Sequence, residues 1–301
     1  MPSVLGIDLG GTKLAIGRFA QDTWKENQSQ THPTTGKTFS MIVEEMLTII
    51  RSFRKEDTRA IGIGVPGLVG RTGNVLTVPN IPGGDGFPLL DTLQKETGLP
   101  VTIENDSSCF ALAEAVQGAG RGERVVIGIT MGTGVGGGII IDGKIFRGSH
   151  GFAAEFGHML LKPGQGPERS PGRREESKDE SPAAGGAGRG EIEEYLSGTA
   201  LRRRCPAAKR PEDTLDGPAC AHLHATFVRE IAWMCVSLTH CLDPGIIVFG
   251  GSAGRALEPH LASMKRELKH WMLPKSEPPA LAIGTLHHSG SLGAALLTAT
   301  I

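Results

Sequence analysis

The chain has 301 residues, 39% hydrophobic and 21% charged, with a formal net charge of −1. That length accommodates two domains with sizeable cores, and the balanced charge argues against nucleic acid or an anionic membrane surface as partner. Aromatic residues, at 5%, are too few for a platform that stacks single strands.

Val4, Leu5 and Ile7 lead into Asp8, Gly10, Gly11, Thr12 and Lys13, after which an apolar segment resumes at Leu14. The pattern predicts strand, tight turn, strand. A tip of little side-chain bulk lets backbone N–H groups approach an anion. Asp8 at the strand end suits a magnesium ion that keeps most of its waters. Met1 to Gly11 lacks the basic start and apolar core of a signal peptide, and no run of about 18 apolar residues follows anywhere. A cytoplasmic location is therefore expected.

Phe39, Ile42, Val43, Met46, Leu47, Ile50 and Phe53 recur at helical spacing, which predicts an amphipathic helix over 38–55. Residues 60–67 form a buried strand ended by Pro66-Gly67, and Gly62 and Gly64 on it admit either a ligand or a packed helix. Asn80 stands in a Pro-rich loop, where its amide can serve sugar hydroxyls or a turn. A short helix over 89–97 and a strand over 101–103 deliver Asn105-Asp106 at the start of an apolar-periodic helix. Asp106 reads either as that helix's N-cap or as a general base held as the anion by the helix N-terminus.

Residues 125–130 form another strand, followed by Gly132-Thr133-Gly134 and Gly137. A dinucleotide fingerprint requires a helix next, but the chain continues with β-branched Ile139, Ile140 and Ile141 and an Asp142-Gly143 turn. A second glycine-tipped hairpin results, and the two hairpins together suit one polyphosphate. Glu155 and His158, three apart, can share a turn and bind a polyol. Residues 163–190, rich in Gly, Pro, Ser and charge, predict a flexible insert. Helices return at Glu193-Glu194-Tyr195, and 227–242 is apolar nearly all round. Ile246 to Phe249 form a buried strand ending in Gly250-Gly251, where an adenosine can lie against backbone. A small-residue helix over 291–297 ends the series. The cysteines, Cys109, Cys205, Cys220, Cys235 and Cys241, are odd in number and without C-x-x-C spacing. They predict no disulfide framework and no zinc knuckle, with Cys235 and Cys241 in the core and the thiols reduced. His222 and His224 do not share a face, so no metal site is read there.

These segments, IDLGGTK at 7–13, GIGVPG at 62–67, PNIPG at 79–83, ENDSSCFALAEA at 104–115, MGTGVGGGI at 131–139, EFGHM at 155–159, EEYLSG at 193–198 and IIVFGGS at 246–252, resemble the ROK family of sugar kinases. Their wording is most similar to bacterial N-acetylglucosamine kinases, with glucokinases close behind. The resemblance implies an α/β fold of two RNase H-like domains, as in actin-like ATPases, flanking a cleft. Residues 1–106 with a returning helix at 290–301 would form one domain, and 107–289 the other. It implies a cytoplasmic homodimer acting on ATP, Mg²⁺ and a small sugar, without nucleic acid or membrane. Asp106 matches the base that takes the proton of the sugar 6-hydroxyl. Gly67, Asn80, Asn105, Glu155, His158 and Glu193 match the sugar pocket. Gly10, Gly11, Thr12, Lys13, Gly132, Thr133 and Gly134 match the phosphate hairpins, Asp8 the magnesium-side carboxylate, and Gly250 and Gly251 the adenosine contact. Glucose, fructose and N-acetylmannosamine remain alternative substrates, a non-catalytic sugar sensor an alternative role, and another ATPase of the superfamily a third. Many members carry a cysteine-rich zinc motif whose fourth ligand is the His of EFGHM. The corresponding cysteine positions here are Ala184, Gly186 and Glu191, so no structural zinc is expected, and His158 needs another partner.

Overall fold

The computed structural model describes residues 2–162 and 189–300. The insert expected at about 163–190 thus lies, for 163–188, outside the described residues. Contacts divide the chain into two compact units, Met1–Gly128 with Gly137–Ala154 and Gly284–Ile301, and Ile129–Gly136 with Glu155–Ile283.

The first unit opens with β1 (Ser3–Leu9), β2 (Lys13–Ala20) and β3 (Glu26–Pro33), continues through α1 (Phe39–Phe53) and β4 (Thr58–Val65), and adds the short pair β5 (Leu68–Val69) and β6 (Val75–Thr77). After them come α2 (Leu89–Thr97), β7 (Val101–Asn105) and α3 (Asp106–Gln117). Its sheet has the order β3-β2-β1-β4-β7. The hairpin β1–β2 and the pair β2–β3 are antiparallel, and β1–β4 and β4–β7 are parallel. Two covered faces explain why β1 and β4 are nearly all apolar rather than alternating. α1 starts where Thr38 accepts from Met41 N at 3.4 Å and buries Phe39, Ile42, Val43, Met46, Leu47, Ile50 and Phe53 in the sheet's core, as its periodicity predicts.

The chain goes on with β8 (Val125–Met131), β9 (Val135–Ile141), β10 (Lys144–Ile145), a 3₁₀ turn Phe156–His158, α4 (Ile192–Leu196), α5 (Gly198–Arg204), α6 (Asp213–Asp216) and α7 (Ala221–Leu242). Then follow β11 (Ile246–Gly250), α8 (Gly251–Arg255), α9 (Leu261–Trp271), β12 (Ala280–Ile283) and α10 (Ser289–Leu296). A second sheet takes the order β10-β9-β8-β11-β12, with β9–β10 antiparallel and β11–β12 parallel. Asp142 and Gly143 both have positive φ, 50° and 73°, which is the primed turn that joins β9 to β10. In the second unit Phe227, Ile231, Met234 and Cys235 of α7 are buried, as are Ile247, Val248 and Phe249 of β11 and Met264 and Leu268 of α9.

Two cysteine expectations are corrected. Cys205 and Cys220 form a disulfide, fifteen residues apart, with Ala208 in a small satellite core. Spacing rules built on framework and C-x-x-C patterns do not register a single bridge closed by a loop. Cys241 is exposed, because the last turn of α7 leaves the core, whereas Cys235 is buried as expected. No helix among the described residues is long and apolar enough to cross a membrane.

Gly62, read as open to a ligand or a helix, meets a helix. A Cβ there would stand 1.7 Å from Ala294 O of α10, and one at its neighbour Gly6 would stand 1.9 Å from Ser291 O. Gly64 faces the start of α3, where a Cβ would stand 3.2 Å from Cys109 Sγ. Gly62→Ala must push α10 off the sheet. It is expected to lower unfolding stability by about 1–3 kcal/mol or more, read from the urea midpoint; an unchanged midpoint would contradict the packing.

Candidate active site

In the first unit the β1–β2 register ends at Leu9 opposite Leu14, which leaves Gly10, Gly11 and Thr12 as the tip. Gly10 donates its N–H to Lys13 O at 2.8 Å, and its own carbonyl accepts from Thr34 Oγ1 at 2.9 Å. The N–H groups of Gly11 and Thr12 have no acceptor among the described residues, and both residues are exposed with Lys13. Neither Gly10 nor Gly11 uses a positive φ. A Cβ at Gly10 would press on Lys13 O at 3.2 Å, and one at Gly11 would make ordinary contact with Asn80 Cβ at 3.5 Å. Exposed Asn80 therefore flanks the tip.

Asp8 lies under that tip with its carboxylate over the first turn of α10, where a Cβ at Gly290 would meet Asp8 Oδ2 at 2.2 Å. Burial pushes its carboxyl pKa up and the Lys13 ammonium pulls it down, while the helix N-terminus favours the anion. One carboxylate beside exposed donors fits a magnesium ion that keeps most of its waters.

Asn105, not Asp106, caps α3. Its Oδ1 accepts from the N–H groups of Ser107 and Ser108 at 2.9 and 3.1 Å, and its Nδ2 donates to Gly67 O at 2.9 Å. One amide hydrogen of Asn105 is left for another acceptor. The cap also explains Gly67: its φ is 101° and a Cβ would stand 2.1 Å from Thr77 O. Asp106 is the first residue of the helix, partly exposed, and its Oδ1 accepts from Ser107 N at 2.7 Å and Ser107 Oγ at 3.2 Å. Hydrogen bonds to the carboxylate favour its charged, proton-accepting form.

Glu104 and Arg147 were not singled out by sequence reasoning. Buried Glu104 accepts from Asn105 N through Oε1 at 2.9 Å and from Arg147 Nε through Oε2 at 2.5 Å. The pair holds the turn that presents Asp106. Its partners stand 43 residues apart, and no local pattern links them.

In the second unit the tip is Gly132-Thr133-Gly134, closed by Gly132 N donating to Gly134 O at 3.0 Å. The N–H groups of Thr133 and Gly134 have no acceptor among the described residues. Glu193 lies against this hairpin: its Oε2 accepts from Val135 N at 2.8 Å and would meet a Cβ at Gly134 at 2.4 Å. A Cβ at Gly157 would stand 3.4 Å from the same oxygen, so the turn carrying Glu155 and His158 comes close to Glu193. Burial raises the Glu155 pKa, His158 opposes that, and Glu193 adds to it. Gly251, with φ 76°, packs on β8 beside the tip, where a Cβ would stand 2.4 Å from Met131 O. Gly251 thus serves backbone packing, and the next residue, Ser252, lines a cavity with Gly132 and Thr133.

His158 has its partner in Glu191, one of the three positions that the resemblance matches to motif cysteines. Nδ1 and Oε2 are 3.0 Å apart, and Arg189 reaches the other carboxylate oxygen at 3.4 Å. The other two positions, Ala184 and Gly186, lie outside the described residues. The hydrogen bond that His158 donates to Glu191 raises the His158 pKa against some desolvation. Desolvation alone would raise Glu191, but His158 and Arg189 hold it below the usual range. A backbone clasp supports the pair: Ile192 N donates to Met159 O at 2.8 Å and Leu161 N to Gly190 O at 2.8 Å. Among the described residues no group of three or more His, Cys, Asp or Glu is arranged to hold a metal ion.

Residues 4–301 match the ROK family. A glucokinase of Thermotoga maritima is 29% identical, covering 97% of this chain and 96% of the relative. An N-acetyl-D-glucosamine kinase of Vibrio atlanticus is 28% identical, covering 97% and 98%. The crystal structure of a ROK family glucokinase from Streptomyces griseus in complex with glucose and AMPPNP superposes with a TM-score of 0.77 at 30% identity, over 98% of each chain.

The ion pair between His158 and Glu191 is complete below the ordinary histidine range and is lost as pH rises through the raised His158 value. In Glu191→Gln the His158 pKa, followed by NMR titration of its ring protons, is expected to fall toward 6.5. An unchanged titration curve would assign the shift to another neighbour.

Proposed function

The chain belongs to the ROK family and is an ATP-dependent sugar kinase with an actin-like ATPase fold. From that premise we propose that it transfers the γ-phosphoryl of MgATP to the 6-hydroxyl of a hexose, with N-acetyl-D-glucosamine the preferred acceptor. The observation that carries this reading is the cluster of Glu155, His158 and Glu193 beside a glycine tip with open N–H groups. A nucleotide hydrolase without an alcohol acceptor has no use for two carboxylates and an imidazole there. The preference for the N-acetyl sugar rests on the wording of residues 104–115, 155–159 and 193–198, and the Vibrio relative supports it.

In this reading the first unit provides Asp106, which orients the 6-hydroxyl and accepts its proton. Asn105 and Asn80 donate to sugar hydroxyls, and Gly67 keeps the wall of that pocket free of a side chain. The N–H groups of Gly11 and Thr12, with the Lys13 ammonium, stabilise charge on the transferred phosphoryl group. Asp8 holds Mg²⁺ through water, and the ion neutralises phosphate charge. The second unit provides Glu155, His158 and Glu193 as acceptors and donors for the sugar hydroxyls. Its Thr133 and Gly134 N–H groups bind nucleotide phosphate, and Gly250 and Gly251 leave room for the adenosine. A cytoplasmic homodimer is part of the same proposal.

Two measurements test it. A coupled ADP-release assay over N-acetylglucosamine, glucose, fructose and N-acetylmannosamine is expected to give the highest kcat/KM for the first. Another sugar at the top would reassign the acceptor, and sugar binding by calorimetry without any ADP release would make the protein a sensor. Asp106→Ala is expected to lower kcat by roughly 10²–10⁴, and near-normal turnover would remove Asp106 from the role of base.

A further inference from the structure

α5 is set directly on the second glycine tip. Gly198 N donates to Gly132 O at 2.7 Å, and Thr199 Oγ1 donates to Thr133 O at 3.2 Å. A Cβ at Gly198 would stand 2.5 Å from that same Gly132 oxygen, so the helix cannot be moved away without losing the contact. Three consecutive arginines end this helix, and they face different surroundings.

Arg204 turns inward. It binds buried Glu230 through Nη1 at 2.6 Å and Nη2 at 3.2 Å, and donates to Tyr195 O. Arg202 and Arg203 follow Thr199 by three and four residues, which puts all three on one helical face. That face lines a cavity of about 530 Å³ whose walls also include Gly132, Thr133 and Ser252 and, among the described residues, no carboxylate. Arg203 reaches Glu194 O at 3.5 Å. Arg202 is exposed and has no hydrogen bond or ion pair among the described residues.

An exposed guanidinium beside open backbone N–H groups, in a cavity whose described walls are free of acidic side chains, suits a phosphate oxygen. The guanidinium is planar, permanently charged and able to donate two parallel hydrogen bonds to such oxygens. Resting on the reading of a nucleoside triphosphate as donor, we propose that Arg202 binds the phosphate tail of that nucleotide and so sets affinity for the donor, not for the sugar. The arginine enters from α5, and its alignment depends on the two contacts that seat α5.

Calorimetry with ADP and with adenosine, on wild type, Arg202→Ala and Arg202→Lys, tests this together with steady-state kinetics. Arg202→Ala is expected to weaken ADP binding and raise KM for ATP by roughly ten- to a hundredfold, the loss of a charged hydrogen bond. Adenosine affinity and the KM for the sugar are expected to stay within about twofold, and Lys to restore part of the ADP affinity. Since Arg202 is exposed, thermal melts should coincide. An ADP affinity unchanged in Arg202→Ala, with wild-type kinase activity present, overturns the proposal and leaves the kinase reading standing. An equal loss for adenosine overturns it too, because the side chain would then serve the base or ribose. A wild type that neither binds ADP nor phosphorylates any sugar defeats the underlying reading itself.

Discussion

Close approach of backbone to backbone on one face of the first sheet is the constraint on which the first unit depends. Gly6 and Gly62 are register partners on β1 and β4, and together they remove the side chains that would hold α10 away. Gly293 does the same from the helix side, lying against Cys109 O of α3. With α10 seated, its first turn comes under Asp8, and Gly64 brings the start of α3 against β4. The two acidic groups proposed for chemistry are thus positioned by apolar packing and missing methyl groups, not by pairing with each other. Polar fastening follows the same plan: buried Glu114 accepts from the N–H groups of Ala119, Thr285 and Leu286, which ties the end of α3 to the segment leading into α10. Those three backbone donors replace the water that burial takes from the carboxylate.

The second unit uses carboxylates where the first uses glycines. Glu193 braces the Gly132–Gly134 hairpin through Val135 N. Glu191 holds His158, and Glu230 gathers Arg204 and Lys162 at 2.6 and 2.7 Å. Each fixes a different segment around one corner: the hairpin, the 3₁₀ turn and the end of α5. Around His158 this chain has a hydrogen-bonded ion pair and a backbone clasp. An exposed pair of that kind is weaker and more sensitive to pH than a metal site. The disulfide between Cys205 and Cys220 sits beyond α5 and adds a covalent tie to the same corner.

Much of this was legible from the amino acids. The amphipathic period of α1, the apolar runs of β1, β4 and β11, and the strand that follows Gly132-Thr133-Gly134 all stand where the pattern puts them, because burial and turn chemistry are local. Glycine pairs were legible as places of close approach but not as to what approaches, and the answer at Gly62 is a helix some 230 residues further along the chain. The choice between Asn105 and Asp106 as cap lay within one residue, where both side chains are competent caps. Gly67 O, offered from 38 residues away, secures the Asn105 amide and decides it.

By itself the sequence determined the element types, the two glycine-tipped hairpins and the family, since these rest on neighbours a few residues apart and on ordered motifs. Only the tertiary structure decided that Glu191 holds His158, that Glu104 and Arg147 brace the Asn105 turn, that Arg202 of the three-arginine run has no partner among the described residues, and that Cys205 meets Cys220. Those contacts join residues far apart in the chain, and a side chain's partner is set by which backbones the core brings within hydrogen-bond reach.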